Sequence, residues 1–373
     1  MPEPKLKLGE EYTPVNEGEE IREVVYLGKN ELQKAIHSSE NPIPREQHPK
    51  QFGCVWAEFI VEEDLPNYLR EGVFKQAKTF PAWIRFSSRK EQFDHKGDLS
   101  YGMAVKLMGV EGKKILEGEE GNAETQDFLM VDHPIFPIKN VEDYIISRNE
   151  KHELLKPFRL AFRLNPFKVF GREVWIVAAM LKNKIRKIKS PLELQYCSMA
   201  PYRLGLEPIR QPWSTTPHEP CLRAIKFSVK PRLPQNRLNI KIPKSDNYLR
   251  EALSTLLSQK DAYFDFYVQL QADPERMPIE DPRIEWKGAQ EHKVATIRIP
   301  AQVFDTPDQQ EFGEHLSFTP WHCLPEHKPL GGINRSRREA YQAGSMMRHQ
   351  ANQVQQQEPT RESSARFKKL IVP

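Results

Sequence analysis

Hydrophobic and polar positions along the chain follow two periods. Runs rich in β-branched and aromatic residues, several with a period of two, predict strands. These runs occupy residues 52–61, 82–87, 101–108, 127–132, 222–229, 262–270 and 293–299. The first four follow one another across turn-rich links without an intervening helix. This order favours an antiparallel sheet or barrel.

Helical periodicity is found in the middle and near the end of the chain. Residues 141–151 and 154–164 are predicted helices, and residues 335–349 form the last one. Residues 245–258 form an amphipathic helix with Asp246 as its N-cap. Residues 301–332 have no regular period and are predicted to form a long loop.

The chain divides into three segments of different character. Residues 1–40 are charged and form an N-terminal arm, residues 41–350 form the main domain, and residues 351–373 are polar and predicted to be largely disordered. An apolar run continues into a basic stretch over residues 174–189. We interpret it as a buried helix with a solvated basic end, and the alternative is peripheral contact with an anionic membrane surface.

Composition narrows the class of protein. The 373 residues contain 55 Lys and Arg against 51 Asp and Glu, a balance that gives no reason to expect a nucleic-acid partner. The 31 prolines indicate much irregular backbone. Four cysteines lie far apart, which favours reduced thiols over a disulfide framework. With no apolar leader at the N-terminus, we expect a cytoplasmic protein.

The predicted helix at residues 335–349 carries an unusual stripe. At about 100° per residue, Arg337, Tyr341, Gly344 and Arg348 fall on one face. A guanidinium one turn from a phenol favours the phenolate, and tyrosinate is a known ligand of haem iron. Gly344 would let a flat ring approach the helix. An ordinary basic helix is the alternative for this segment taken alone.

A second candidate lies where a proline-containing extended segment enters the first predicted strand. His48 follows Arg45 by three residues and precedes Gly53 by five. Ser87, in the second predicted strand, is a hydroxyl able to orient an imidazole.

The order of these motifs resembles the haem catalases. The pattern RxxHxKxxG from Arg45 is followed by IRFS, YGMAVKL, a GN segment and DFLMVDHPIFP. The last motif in this order is RxxxY from Arg337. The match covers about residues 41–348. The segment LSFTPWHCLPEHKPLGGINRSRR is more similar to the shorter catalase-related proteins, relatives of the coral allene oxide synthase domain.

The resemblance implies a fold and a set of roles. The fold is α+β, a catalase-like antiparallel β-barrel with helices packed around it and haem b inside. His48 would be the distal acid–base, Ser87 would hold it, and Asn122 would orient the peroxide. Tyr341 would ligate the iron beside Arg337. Further cofactor contacts would come from Arg45, Arg85, Phe128, Phe136 and Arg348.

Two departures from the catalase pattern bear on the reaction. Gln47 stands before the distal histidine, where catalases usually have valine. An alignment without an insertion puts Ala123 instead of Asn122 at the position of the distal amide. Both changes put rapid peroxide disproportionation in doubt.

The resemblance implies haem-dependent catalase or peroxidase activity on hydrogen peroxide or an organic hydroperoxide, serving the response to oxidative stress. One alternative is a fatty-acid hydroperoxide isomerase or dehydratase of the allene oxide synthase type. Another is a haem-binding protein without turnover. The expected partners are a small peroxide or lipid hydroperoxide and, in a homo-oligomer, further copies of the chain.

Overall fold

A single antiparallel sheet organises the structure. The computed structural model describes residues 4–38, 42–89, 94, 100–149, 188–211, 213, 219–232, 245–360 and 364. Its strands are β1 Lys50–Val61, β2 Thr79–Ser88, β3 Tyr101–Met108, β4 Thr125–Val131, β5 Tyr196–Cys197, β6 Tyr202–Arg203, β7 Ala224–Pro231, β8 Ala262–Leu270 and β9 Glu291–Ile299. The predicted strands are present, and the two-residue strands β5 and β6 are too short to give a periodic signal.

The sheet closes on itself. Its order is β5-β4-β3-β2-β1-β9-β8-β7-β6, and β5 pairs with both β4 and β7. Among the described residues, eight strands therefore form the ring, and β6 extends it at β7. The predicted antiparallel barrel is confirmed.

Alternation along each strand separates the barrel interior from its outer wall. In β2, Ala82, Ile84 and Phe86 belong to the interior core, whereas Arg85 and Ser87 lie on the other side of the strand. A cluster of phenylalanines fills the centre, with centroids of neighbouring rings 5.0–6.5 Å apart. Its members are Phe59, Phe74, Phe128, Phe227 and Phe266. Eight strands enclose just enough space for side chains, so a large ligand must lie outside this core.

The helices pack around the barrel. They are α1 Glu17–His37, α2 Gly118–Asn122, α3 Val141–Asn149, α4 Tyr248–Leu257, α5 Pro307–His315 and α6 Gly332–Ala351. Short 3-10 turns lie at Asn67–Leu69, Gly72–Phe74, Pro191–Glu193 and Pro325–His327.

The N-terminal arm packs on its own chain. Helix α1 buries Ile21 and Val24 against Val141 and Ile145 of α3. It also lies along α6, the helix that carries Tyr341. Arg335 of α6 reinforces this contact through ion pairs of 2.6–2.9 Å with Glu11, Glu17 and Glu280.

Two local predictions are corrected. Residues 301–332 are not all loop, because α5 begins at Pro307 with Thr306 as its N-cap, whose hydroxyl accepts a 3.4 Å hydrogen bond from the Gln309 amide. Proline at the first helical position is a recognised start signal that the short segment obscured. Helix α4 is preceded by Asn247 instead of Asp246, and the Leu249 amide of its first turn donates to the Asp94 carboxylate at 2.9 Å.

Some predictions fall on other parts of the chain. The helix at residues 154–164 lies outside the described residues, as does the 174–189 segment apart from its last two positions. In the described part of the chain, no helix is long and apolar enough to cross a membrane.

The first residues beyond α6 contact the barrel wall, although the sequence predicts a disordered tail. The Lys106 ammonium of β3 is fully buried between carboxylates of Asp127 and Glu358, each 2.7 Å away. Glu358 also accepts a 2.7 Å hydrogen bond from the Thr125 hydroxyl. Further along, Ser364 accepts a 3.0 Å hydrogen bond from the Trp83 indole. A buried charge that has its second partner in the tail gives these residues a fixed place.

This ion pair makes a prediction about stability. Replacing Glu358→Gln should lower the free energy of unfolding by about 2 kcal/mol, because it removes one of the two carboxylates that pair with the buried Lys106 ammonium. Gln357→Ala, at the exposed neighbouring position, should change it by less than about 0.5 kcal/mol. Urea unfolding at pH 7 measures both. Equal midpoints for the two variants would contradict this account of the tail.

Candidate active site

His48 occupies a strained position at the entrance to β1. Its φ of 54° lies in the left-handed region, which is uncommon for residues other than glycine. Arg85 of β2 holds this backbone, donating to the His48 carbonyl at 3.0 Å and to the Pro49 carbonyl at 3.3 Å. Such strain persists where surrounding contacts over-determine it, and it is concentrated at functional sites.

The imidazole of His48 is kept neutral. Burial lowers its pKa to about 3, assisted by the positive charges of Arg85, Arg89 and Arg337. Its Nδ1 is buried and has no hydrogen-bond partner among the described residues. A Cβ at Gly102 would lie 2.7 Å from this nitrogen and 2.8 Å from the Ser87 hydroxyl. The absent side chain at Gly102 therefore leaves room for both Ser87 and His48, and the predicted hydrogen bond between them is not formed.

Tyr341 lies on α6 with its arginine one turn away. The Arg337 guanidinium donates a 3.2 Å hydrogen bond to the Tyr341 hydroxyl, and its centre is 5.1 Å from the ring centroid. Burial works to lower the pKa of Arg337, but the phenols of Tyr341 and Tyr202 outweigh it and raise that pKa. The positive charge of Arg337 also contributes to the lowered pKa of His48, so the two predicted parts of the site are electrostatically coupled.

The three predicted carboxylate-binding arginines converge, but a residue of this chain lies among them. Glu314 of α5 is 3.1 Å from Arg85 and 3.7 Å from Arg45. Arg348 donates a 2.6 Å hydrogen bond to the Glu314 carbonyl. Arg45 also donates to the carbonyls of Gly313 and Glu314, at 2.9 and 2.7 Å. The cluster thus holds the C-terminal end of α5, where carbonyl groups favour positive charge.

The arginine cluster and its carboxylate together carry a net positive charge. Three guanidinium groups face one carboxylate, which leaves an excess of two charges. Burial and the neighbouring guanidiniums lower the pKa of Arg45, and burial lowers that of Arg348 to about 10. The Arg45 Nε is buried without a hydrogen-bond partner among the described residues. A ligand with two carboxylates would relieve this repulsion.

Similarity to known proteins lies in the fold. The chain is similar to a fungal catalase, with TM-score 0.57, 16% identity and coverage of 98% of this chain and 67% of the other. It is also similar to a bacterial catalase, with TM-score 0.59, 16% identity and 86% of this chain covered. Catalase A from Saccharomyces cerevisiae gives a TM-score of 0.56 at 15% identity, with 95% of this chain and 68% of the other covered.

The chain has the catalase fold. It spans 60% of the length of the bacterial catalase. No protein-family model matches the sequence, and no curated protein matches it.

Within the catalase fold, Phe128 lies on the wrong face of its strand for the predicted role. Its ring is in the barrel interior, 5.0 Å from Phe227 and 5.1 Å from Phe266. Since successive strand residues point to opposite faces, its neighbours Asp127 and Leu129 face the outer wall. The prediction that Phe128 lines the site is therefore wrong, and the two-residue period was the signal that should have excluded it.

Asn122 lies far from His48. It is exposed at the end of α2, three residues before Thr125. In the β3–β4 hairpin Thr125 pairs with Met108, whereas Gly102, which adjoins His48, pairs with Val131. Six residue pairs at about 3.4 Å each separate those positions. The structure therefore does not place Asn122 as a distal amide.

Three other positions also differ in detail from expectation. Phe136 is half-buried with its ring 6.3 Å from that of Tyr144 of α3. Gln47 is exposed, and its amide donates to Glu46 at 3.3 Å. A Cβ at Gly344 would meet Leu32 and Glu46 at 3.8 and 3.9 Å, so this face of α6 adjoins α1 instead of a flat ring.

Sequence reasoning missed Glu314, Asn334 and Tyr202. Glu314 lies on α5, within residues 301–332, for which the sequence predicts a loop. Asn334 accepts a 3.1 Å hydrogen bond from Arg337 and lies three residues before it, a spacing that places two helical residues on one face. That spacing was a usable signal, whereas Tyr202 comes from a distant strand and had none.

The burial of His48 makes a prediction about pH. Its folded pKa of about 3 lies below the ordinary 6.5, so the unfolded chain binds more protons between these values. Stability therefore falls as pH decreases from 6.5 towards 3. Replacing His48→Gln should reduce the loss of unfolding free energy between pH 6.5 and pH 4.5 by about 2 kcal/mol.

The matched control is His37→Gln, because His37 is exposed on α1. Urea unfolding at the two pH values gives the comparison. If His48→Gln and the control lose equal stability on acidification, His48 is not held neutral by the fold.

Proposed function

We propose that this protein is a haem-dependent enzyme that metabolises peroxides, of the catalase or peroxidase type. The observation that carries the proposal is the cluster of three arginines around Glu314, on the same chain as the hydrogen-bonded Arg337–Tyr341 pair and the strained His48. Haem b brings an iron that a tyrosinate can ligate and two propionates that match the two excess charges. Among the described residues the Arg45 Nε makes no hydrogen bond, which leaves its N–H available to a ligand carboxylate.

The arginines and tyrosines have defined parts in this proposal. Tyr341 would hold the iron as phenolate, and Arg337 would stabilise that anion through its 3.2 Å hydrogen bond. Arg45, Arg85 and Arg348 would bind the propionates while continuing to hold α5. Because the barrel interior is filled with phenylalanine rings, the cofactor would lie between the outer wall and α6. Once bound, haem supplies the redox chemistry that breaks the O–O bond.

His48 would move the proton. Its Nδ1 lies beside the Ser87 hydroxyl, an acceptor able to keep the proton on that nitrogen. Nε2 is then the basic nitrogen, which accepts a proton from one peroxide oxygen and returns it to the other. A pKa of about 3 keeps the ring neutral across physiological pH. For hydrogen peroxide the balance is two molecules consumed for one of oxygen and two of water.

The proposal leaves the substrate to experiment. Because Asn122 lies outside the site, no amide at that position would orient a small peroxide. An organic hydroperoxide should therefore be tested together with hydrogen peroxide. Cytoplasmic location, homo-oligomerisation and membrane contact through residues 174–189 stay predictions from the sequence.

The role of Tyr341 gives the first test. Tyr341→Phe should weaken haem binding by more than about a hundredfold, because it removes the only proposed bond to iron. Haem titration of the purified protein followed by the pyridine haemochrome spectrum measures this. Tyr144→Phe removes a neighbouring phenol on α3 and should bind haem like the unchanged protein. Equal binding by Tyr341→Phe would rule out the tyrosinate assignment.

The role of His48 gives the second test. His48→Ala should retain haem and lower the rate of oxygen evolution from hydrogen peroxide by about 10²–10⁴-fold, the usual contribution of a positioned acid–base. Gln47→Ala, at the exposed neighbour, should keep activity. Full activity in His48→Ala would remove His48 from the mechanism.

The same preparations should be given a fatty-acid hydroperoxide without added reductant, with loss of conjugated-diene absorbance as the signal. Activity there without oxygen evolution would assign the isomerase or dehydratase reaction. If the haem-loaded protein shows no activity in either assay, the protein binds haem without turnover.

A further inference from the structure

Asn334 is a fully buried amide in the first turn of α6. Its side-chain nitrogen donates to the carbonyls of Pro201 and Leu330, at 2.8 and 3.1 Å. A carbonyl can only accept, so these contacts require the NH₂ group on that side and fix the orientation of the amide. The side-chain oxygen of Asn334 must then point the other way, towards Arg337.

Arg337 is held between two acceptors on the same helix face. One terminal nitrogen donates to the Asn334 oxygen at 3.1 Å, and the other donates to the Tyr341 hydroxyl at 3.2 Å. The guanidinium is planar, so fixing one nitrogen restricts where the other can go. Asn334 thereby limits the directions in which Arg337 can donate.

A competing acceptor lies close by. Tyr202 follows Pro201, is only 2% exposed, and faces the same guanidinium. Its hydroxyl is buried without a well-aligned hydrogen-bond partner among the described residues. Burial raises the pKa of Tyr202 to about 12, and Arg337 acts against that rise. Tyr202 is therefore a second buried acceptor within reach, and a better-aligned bond to it becomes favourable for Arg337 if the Asn334 anchor is lost.

We propose that Asn334 is a positioning residue that orients Arg337 so that its well-aligned hydrogen bond goes to Tyr341 and not to Tyr202. The amide needs no contact with iron or substrate to do this. It acts through Arg337, and the selection between two phenols follows from the geometry of its backbone anchors. The consequence for haem retention rests on the proposed function, whereas the hydrogen-bond selection does not.

The first experiment uses the haem-free protein labelled with ¹³Cζ-tyrosine at neutral pH. The ¹³Cζ chemical shift reports hydrogen bonding to the phenol oxygen, and Tyr341→Phe and Tyr202→Phe assign the two signals. In Asn334→Leu both signals should move, because Arg337 leaves one oxygen for the other. In the double variant Asn334→Leu/Tyr202→Phe the Tyr341 signal should return towards its original position, because the competing acceptor is gone.

Asn352→Leu is the matched control at the other end of α6. Asn352 also bridges backbone groups through its amide, at 2.7 and 3.1 Å from Ile43 N and O. This variant should leave both tyrosine signals in place. Asn334→Ala also removes the acceptor for Arg337, with a smaller side chain, and should move both tyrosine signals. It serves as the deciding variant if Asn334→Leu does not fold.

The second readout is haem loss to excess apomyoglobin. Asn334→Leu should release haem about tenfold faster, which corresponds to about 1.4 kcal/mol, while Asn352→Leu should match the unchanged protein. Unmoved tyrosine signals in Asn334→Leu, or in Asn334→Ala if the leucine variant does not fold, would overturn the inference. Moved signals in a protein that never binds haem would support Asn334 and refute the proposed function.

Discussion

Three buried guanidinium groups around one carboxylate join the elements on which the site depends. Arg45 precedes β1 and Arg85 lies on β2. Arg348 lies near the C-terminal end of α6, and Glu314 belongs to α5. Like charges repel strongly where water is scarce, so these side chains can converge only because carbonyls of α5 and the Glu314 carboxylate meet them. The repulsion that remains is what makes the cluster receptive to a doubly anionic ligand.

The filled barrel determines where such a ligand can go. Phenylalanine rings occupy its centre, so the polar chemistry is displaced to the outer wall, where His48, Arg85 and Ser87 lie. Helix α6 completes this outer region by bringing Tyr341 and Arg337 opposite the wall. Helix α1 packs along α6, and Arg335 joins α6 to the N-terminal arm through ion pairs. The proposed site therefore takes His48 from the barrel wall and Tyr341 from a helix packed around it.

Asn334 and Glu358 illustrate two uses of a buried polar group. Asn334 is fully hydrogen-bonded, and its anchors decide which phenol Arg337 meets. Glu358 compensates the buried ammonium of Lys106 and so ties the chain after α6 to the barrel. Both roles depend on partners distant in sequence, because a buried donor or charge without a partner costs several kcal/mol.

The sequence by itself determined the strands, the helix at residues 335–349 and the pairing of Arg337 with Tyr341, because these rest on periods of two and 3.6 and on neighbours one turn apart. The order of its motifs also indicated the catalase fold. Only the tertiary structure decided which face of β4 meets the site, excluding Phe128, and that Asn122 ends far from His48. It alone brought Glu314 and Tyr202 to the arginines, since contacts across a barrel wall depend on strand register and helix docking, which leave no periodic signal in the chain.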